Sequence, residues 1–306
     1  MTTSQDIKDP LRKPVHLWVV LIVIGVAWGG TAPLSKLAVS TGYHPIGITL
    51  WSDLLGGLIL TAIIFARGRR IPTSKGHIVF YIICGLLGTA LPSSVLYEAY
   101  KHLPVGVNMI MQSLVPMITI AISVPLRLDH MNLQRGIGLT LGVLAVILIA
   151  APQTSLPDPS LAIWIILPII ASLSYSVENV VIAKYQPSDC DAITIICGLS
   201  WGALIWLVPA LFITDGWVMP TSFGPPEQAI LGTAILHIIA YVGFVWLIEN
   251  AGPVFAAQVA YVVTGAGVLF GIIFYQESHS YWVWLALAVM MIGLSLVKPS
   301  KESSSK

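Results

Sequence analysis

Long apolar runs follow one another along almost the whole chain, with only short polar breaks between them. Ten such runs lie at 15–37, 45–66, 77–101, 105–126, 132–151, 160–184, 191–213, 228–250, 254–276 and 281–297. A helix needs about 20 mainly apolar residues to cross the hydrocarbon core of a bilayer. The breaks hold proline, glycine or charge, as at 67–70 and 225–226. The pattern therefore predicts an all-α membrane protein with ten transmembrane helices.

The composition supports this prediction and narrows the function. Of 306 residues, 56% are hydrophobic and 9% are charged, whereas a soluble domain carries about 25% charged residues. The longest gap, near 214–227, is too short for a separate soluble domain, and the chain has no Gly-x-x-x-x-Gly-Lys motif for ATP. The net charge of +1 does not indicate a nucleic-acid partner. The chain also has no intramembrane protease motif, so we expect a protein that is not an enzyme.

Three cysteines, Cys84, Cys190 and Cys197, are present. They are too few and too widely spaced to predict a disulfide framework or a metal site. We therefore expect no metal and no cofactor.

Basic residues predict how the helices are oriented. If the N-terminus is cytoplasmic, thirteen of the 15 lysines and arginines fall on the cytoplasmic side, and only Lys36 and Lys101 fall outside. Residues 1–14 and 298–306 are then predicted to be cytoplasmic segments. The expected location is a bacterial inner membrane.

The two halves of the chain resemble each other. Residues 97–108 align with 246–257, since in both an amphipathic helix end meets a Pro-Val pair, and residues 28–36 align with 176–184. The predicted repeats, 15–151 and 160–297, each hold five spans. Because five is an odd number, the second copy must be inverted relative to the first. Inverted repeats recur in secondary transporters, which bind substrate between the halves and work by alternating access.

Several short motifs resemble the EamA-type transporters of the drug/metabolite transporter superfamily, over about residues 15–298. They are Trp28-Gly29-Gly30 with Lys36, Pro104-Val105-Gly106, Gln276-Glu277 and Gly293. The resemblance implies a ten-helix bundle around a central cavity and, often, export of amino acids or other small metabolites. One departure concerns the acidic residue that often follows the fourth span in this family, which is shifted here to Asp129.

Carboxylates inside the predicted spans are the first candidates for function. A charge at the bilayer centre costs about 2.5–3.5 kcal/mol on insertion scales, so such groups usually have a role. Asp53 and Glu178 lie within spans, and Glu98 lies nearer the outer interface. The structural alternatives are a hydrogen bond from Asp53 to a neighbouring helix, an ion pair of Glu178 with Lys184, and hydration of Glu98.

Aromatic and amide side chains complete the predicted binding site. His237 and Tyr241 are four residues apart, so they share one helix face, and Trp28 lies beside Gly29 and Gly30. Amides and hydroxyls within a span are expected to face the protein interior, because an unpaired polar group facing lipid is costly. The other candidates are Tyr97, Gln112, Tyr175, Asn179, Gln258 and Tyr261. Ordinary packing is the alternative for His237 and for Trp28.

Carboxylates and aromatic faces together favour a cationic ligand. We therefore expect a small-molecule substrate, an amine or an amino acid, with the carboxylates available for proton coupling and possible export. A lipid-linked-sugar flippase and an organic-anion exchanger remain as alternatives. The protein is expected to be a monomer or a weak dimer in the lipid bilayer.

Overall fold

The computed structural model describes residues 15–152, 154–218, 223–251 and 253–297, so the predicted terminal segments 1–14 and 298–306 lie outside it. Over the described residues the chain is helical and contains no strand. Its α-helices are α1 (Val15–Gly29), α2 (Thr31–Ser40), α3 (Pro45–Ala66), α4 (Lys75–Gly85), α5 (Leu91–His102), α6 (Val105–Gln112), α7 (Val115–Ser123), α8 (Leu133–Ala150), α9 (Ile166–Tyr185), α10 (Ala192–Thr214), α11 (Pro225–Ala251), α12 (Pro253–Ala256), α13 (Val259–Tyr275) and α14 (Tyr281–Leu296). A π-helical segment, Leu86–Ala90, joins α4 to α5, and a 3-10 segment, Pro159–Ile165, leads into α9.

Within the described ranges, eight helical stretches are long and apolar enough to cross a membrane. They are Val15–Ser40, Pro45–Ala66, Lys75–His102, Val105–Ser123, Leu133–Ala150, Pro159–Tyr185, Ala192–Thr214 and Pro225–Ile248. Two further apolar helices, α13 and α14, are shorter. The prediction of an all-α, multi-pass membrane protein is confirmed.

Local sequence signals explain where several helices begin. The Asn132 side chain accepts a hydrogen bond from the Arg135 amide at the start of α8, and Asp191 accepts one from Thr194 at the start of α10. Pro45 occupies the first turn of α3, where its missing N–H costs nothing. Pro209, in contrast, lies inside α10. α10 continues through Pro209, and the helices largely coincide with the predicted apolar runs.

Helices from the first half of the chain pack mainly against helices from the second half. α1 packs on α11 and α13, α3 on α10, α4 on α10, α5 on α9, α6 on α13, α7 on α9 and α8 on α14. Small residues permit the closest approach, because a Cβ on Gly138 would lie 2.8 Å from the Gly293 carbonyl oxygen. The interior of the molecule is therefore an interface between its two halves.

Candidate functional site

Four aromatic side chains from α1 and α11 form one cluster. The Trp28 indole N–H donates a hydrogen bond to Nδ1 of His237 at 3.2 Å. The Trp28 ring lies edge-on to His237, Tyr241 and Phe244, with centroids 5.8, 6.1 and 5.7 Å away. Three of the predicted site residues, Trp28, His237 and Tyr241, therefore lie together, and Phe244 adds a fourth ring. We call these four residues the aromatic cluster.

Asp53 lies on α3 with only 8% of its surface exposed. Its carboxyl group lies near the side chain of Thr89 in the π-helical segment, whose hydroxyl donates to the Gly85 carbonyl at 2.9 Å. Tyr97, on α5, is buried within electrostatic range of Asp53 and interacts with Ser35 and Ser52. Two hydroxyl groups, those of Thr89 and Tyr97, therefore lie near Asp53.

Glu178 lies on α9, is 9% exposed, and also packs against the π-helical segment. A Cβ on Gly88 would overlap the Glu178 carboxyl group. Ser174, one turn earlier, donates a hydrogen bond to the Leu87 carbonyl at 2.7 Å. The π-helical segment therefore touches both buried carboxylates, with Thr89 near Asp53 and Gly88 against Glu178.

Three tyrosines lie near the two carboxylates. Tyr175 is within electrostatic range of Glu178, Tyr97 and Asp53, and Tyr241 of the aromatic cluster is within range of Glu178. We call Asp53, Tyr97, Tyr175 and Glu178 the carboxylate cluster. Five of the predicted residues, Asp53, Tyr97, Tyr175, Glu178 and Tyr241, therefore lie in one region of the structure.

Gln112 reaches the edge of this region through a tyrosine that the sequence did not single out. Its Nε2 donates a hydrogen bond to the Tyr100 hydroxyl at 3.3 Å. Tyr100 is buried and lies within electrostatic range of Tyr97 and Tyr175.

Four predicted residues make other contacts. Glu98 forms ion pairs within its own helix, with Lys101 at 2.9 Å and His102 at 3.1 Å. Asn179 is exposed and donates to Thr119 of α7 at 3.4 Å. Tyr261 packs against the largest apolar core, and Gln258 occupies the N-cap position of α13. The part of these four residues in a binding site remains a prediction.

A second buried ionic cluster involves residues that the sequence marked only as family motifs. Lys36 donates to Glu277 Oε1 at 3.0 Å, and the Glu277 carboxylate also accepts the backbone N–H groups of Val105 and Gly106 at 2.6 and 3.1 Å. The Lys36 ammonium lies 5.0 Å from the centre of the Tyr275 ring. Because the first amides of a helix lack internal partners, a carboxylate is favoured there. Glu277 therefore ties α2 and the α13–α14 loop to the start of α6.

Asp129, the shifted acidic residue of the first half, has a different role. It accepts a hydrogen bond from Arg135 Nη1 at 2.8 Å, and Arg135 also donates to the His130 carbonyl at 2.5 Å. The Arg135 side chain is 4% exposed. Asp129 therefore pairs with Arg135, whereas Glu277 pairs with Lys36, so these two acidic residues form different ion pairs.

Comparison with known proteins identifies related sequences over nearly the whole chain. The EamA-like transporter family model matches residues 16–151. The uncharacterized inner membrane transporter YedA of Escherichia coli is 24% identical over 298 residues, which is 95% of this chain and 93% of that protein. The uncharacterized transporter YoaV of Bacillus subtilis is 25% identical, covering 92% of this chain and 96% of that protein.

Plant proteins and a solved structure extend this similarity. A WAT1-related protein of Arabidopsis thaliana, At5g40210, is 23% identical over 94% of this chain and 90% of its own length. A solved crystal structure shares the fold with a TM-score of 0.62 at 15% identity, covering 93% of this chain and 96% of that one.

Proposed function

This chain is an EamA-type membrane transporter of the drug/metabolite transporter superfamily, and we propose that it carries a small organic cation, an amine or an amino acid, by alternating access. The substrate's ammonium group would bind between the carboxylate cluster and the aromatic cluster. The predicted location is a bacterial inner membrane, with export as the expected direction.

The observation that carries this proposal concerns the partners of the two buried carboxylates. In the described part of the chain, neither Asp53 nor Glu178 has a lysine, arginine or histidine partner among the ion pairs. A buried carboxylate without a cation is costly, so it either binds a proton or takes a cation from outside. A substrate ammonium group would supply that charge, and the rings of Trp28 and Tyr241 would add cation–π attraction.

The same reasoning supports proton coupling. When the substrate leaves, Asp53 or Glu178 would take up a proton, because desolvation disfavours the charged form. A proton and a substrate would then compete for one buried carboxylate. Such competition is the simplest basis for proton-driven export.

Helix pairing supports the proposed inverted repeat. If the first five spans correspond in order to the last five, then packing of α1 on α11 corresponds to packing of α5 on α9, and packing of α1 on α13 to that of α7 on α9. The family match to residues 16–151 also coincides with the first proposed repeat, 15–151. We therefore propose ten crossings in two five-span units, 15–151 and 160–297, with both termini cytoplasmic. Two similar units of opposite sense can exchange inward-open and outward-open forms.

The lysines provide little support for an anion exchanger. Lys36 is paired with Glu277, and Lys101 with Glu98. A substrate anion would have to displace these carboxylates. A cation meets no such competition at Asp53 or Glu178.

The test has a binding step and a transport step. We expect amines or amino acids, from a panel that also includes polyamines, quaternary amines and organic anions, to raise the melting temperature of the purified protein. In liposomes, Asp53→Asn and Glu178→Gln should fold but lose flux of the stabilising compound by at least about tenfold, since removing one partner of a buried charge pair costs about 2–5 kcal/mol.

Asp215→Asn is the matched control, because Asp215 is exposed at the end of α10, away from both clusters. It should retain flux. Stabilisation by organic anions alone would overturn the substrate class, and wild-type flux in both Asp53→Asn and Glu178→Gln would overturn the site.

A further inference from the structure

Three side chains of the types that bind transition metals meet at the end of the molecule predicted to face the cytoplasm. His77 stands in the first turn of α4, and Asp189 and Cys190 lie in the loop between α9 and α10. One donor atom from each residue lies within 4.8 Å of the other two, and His77 Nε2 is 2.9 Å from Asp189 Oδ1. We propose that His77, Asp189 and Cys190 form a binding site for a transition-metal ion of the zinc type.

The three donors match the preferences of zinc. Zinc binds imidazole nitrogen, thiolate sulfur and carboxylate oxygen at about 2.0–2.3 Å in a tetrahedral arrangement, which places the donor atoms about 3.3–3.8 Å apart. The separations here begin at 2.9 Å and stay within 4.8 Å, so shifts of about 1 Å would complete the geometry. Glutamine, serine or lysine in place of any one of the three would remove one of these preferred zinc ligands.

Neighbouring side chains orient the donors. The Ser74 hydroxyl lies 2.7 Å from His77 Nδ1, which leaves Nε2 directed at Asp189. The Tyr81 hydroxyl lies 3.4 Å from Cys190 Sγ. Hydrogen bonds of this kind to the remote nitrogen of a histidine are the usual support of a metal ligand.

A pocket gives an ion access to the site. A cavity of about 510 Å³ is lined by Asp189 and Cys190, together with Arg69 and Arg70. Cys190 is 6% exposed, whereas the Asp189 side chain is 61% exposed. A water molecule in this cavity could supply the fourth ligand of a tetrahedral ion.

A bound ion would join the two halves of the chain. His77 belongs to residues 15–151, and Asp189 and Cys190 belong to residues 160–297. Alternating access requires one half to move against the other, so a metal ion held between them would keep this end of the molecule in its present arrangement. We expect a bound metal ion to inhibit substrate flux. That expectation rests on the proposed transport function, whereas the proposed metal binding does not.

The binding test uses the full-length protein in detergent, titrated with Co²⁺ and then with Zn²⁺. We expect Co²⁺ to produce a thiolate-to-metal charge-transfer band that Zn²⁺ abolishes, and Zn²⁺ to raise the melting temperature. Cys190→Ser should lose the band, and His77→Ala should weaken binding at least tenfold. Ser74→Ala keeps all three ligands and should weaken binding by about 10–100-fold, as loss of a supporting hydrogen bond does.

Cys197→Ser and His130→Ala are the matched controls. Cys197 is buried on α10 beside Thr61, and His130 lies in the loop before α8. Both variants should bind Co²⁺ as the wild type does. A band that persists in Cys190→Ser, or wild-type affinity that is no higher than that of His77→Ala, would overturn the site. Melting temperatures measured without metal identify any variant that fails to fold.

A flux assay separates the two proposals. Zn²⁺ should inhibit substrate flux in wild-type liposomes and leave flux in Cys190→Ser unchanged. Metal binding with no effect on flux would overturn the joining of the halves. Absence of any substrate flux would count against the proposed transport function and leave the Co²⁺ result standing.

Discussion

At the scale of single residues, Asp191 shows how one carboxylate serves two elements. Its Oδ1 accepts hydrogen bonds from the Thr194 backbone N–H at 2.9 Å and from the Thr194 hydroxyl at 2.6 Å. Its Oδ2 accepts one from Arg69 at 2.5 Å. Partial burial raises the pKa of Asp191, but the Thr194 hydrogen bonds and the charges of Arg69 and Arg67 outweigh it and hold that pKa below its usual value.

Two substitutions of Asp191 separate the stabilisation from its N-cap hydrogen bonds from the stabilisation by its charge. Asp191→Ala should lower the free energy of unfolding by about 1 kcal/mol, the usual cost of losing an N-cap. Asp191→Asn keeps an acceptor for Thr194 and should cost less, because an exposed ion pair contributes little. Chemical or thermal unfolding in detergent measures both effects, and equal losses would contradict the role of the cap.

The pH dependence of Asp191→Asn tests the charge separately. Because the folded-state pKa of Asp191 lies below the unfolded value, its carboxylate stabilises the fold above about pH 4. That stabilisation is lost as the pH falls through the folded-state pKa. The difference between wild type and Asp191→Asn should therefore be largest near neutral pH and shrink in acid.

At the scale of elements, the π-helical segment Leu86–Ala90 contacts both helices that carry the proposed carboxylates. It lies between α3, which carries Asp53, and α9, which carries Glu178. Pro92 follows it in the first turn of α5 and cannot donate a backbone hydrogen bond to the preceding turn. Short π-helical turns inside α-helices frequently mark functional sites. A regular α-helix here would present different side chains to Asp53 and Glu178.

Gly88→Ala tests this role. A Cβ at position 88 would overlap the Glu178 carboxyl group, and the flexible end of that side chain can move away. The protein should therefore fold with near-normal thermal stability and lose transport, because Glu178 leaves its position. Gly136→Ala, where a Cβ meets nothing within 4 Å, is the control and should retain flux. Normal flux in Gly88→Ala would contradict the proposed role of Glu178.

At the scale of the whole molecule, the proposed topology can be tested at the two ends of one helix, α3. Thr41 and Thr73 are both exposed and lie beyond the opposite ends of α3. The excess of lysine and arginine on one side predicts that Thr73 is cytoplasmic and that Thr41 is outside. The native cysteines, Cys84, Cys190 and Cys197, are all buried, so they should react slowly with external reagents.

Labelling of introduced cysteines measures this topology. Thr41→Cys should react with a membrane-impermeant thiol reagent in intact cells, and Thr73→Cys should react only after the membrane is opened. The reverse pattern would invert the proposed orientation of the termini. Equal reactivity in intact cells would show that α3 does not cross the membrane as proposed.

The sequence by itself determined the class of the protein and the position of most helices. A bilayer requires about 20 apolar residues per crossing, with every backbone hydrogen bond satisfied inside the segment. That information is local, so apolar runs and short breaks are enough to read it. Burial costs likewise singled out Asp53 and Glu178, because any carboxylate within an apolar run is conspicuous.

Only the tertiary structure decided which of the candidates lie together. Glu178 packs against Gly88, whereas its neighbour Asn179 faces Thr119, and the spacing of residues within α9 gives no information about the helices on either side. The meeting of His77 with Cys190 also joins distant parts of the chain. The physical reason is that contacts between helices depend on side-chain packing across the two halves, which no local pattern encodes.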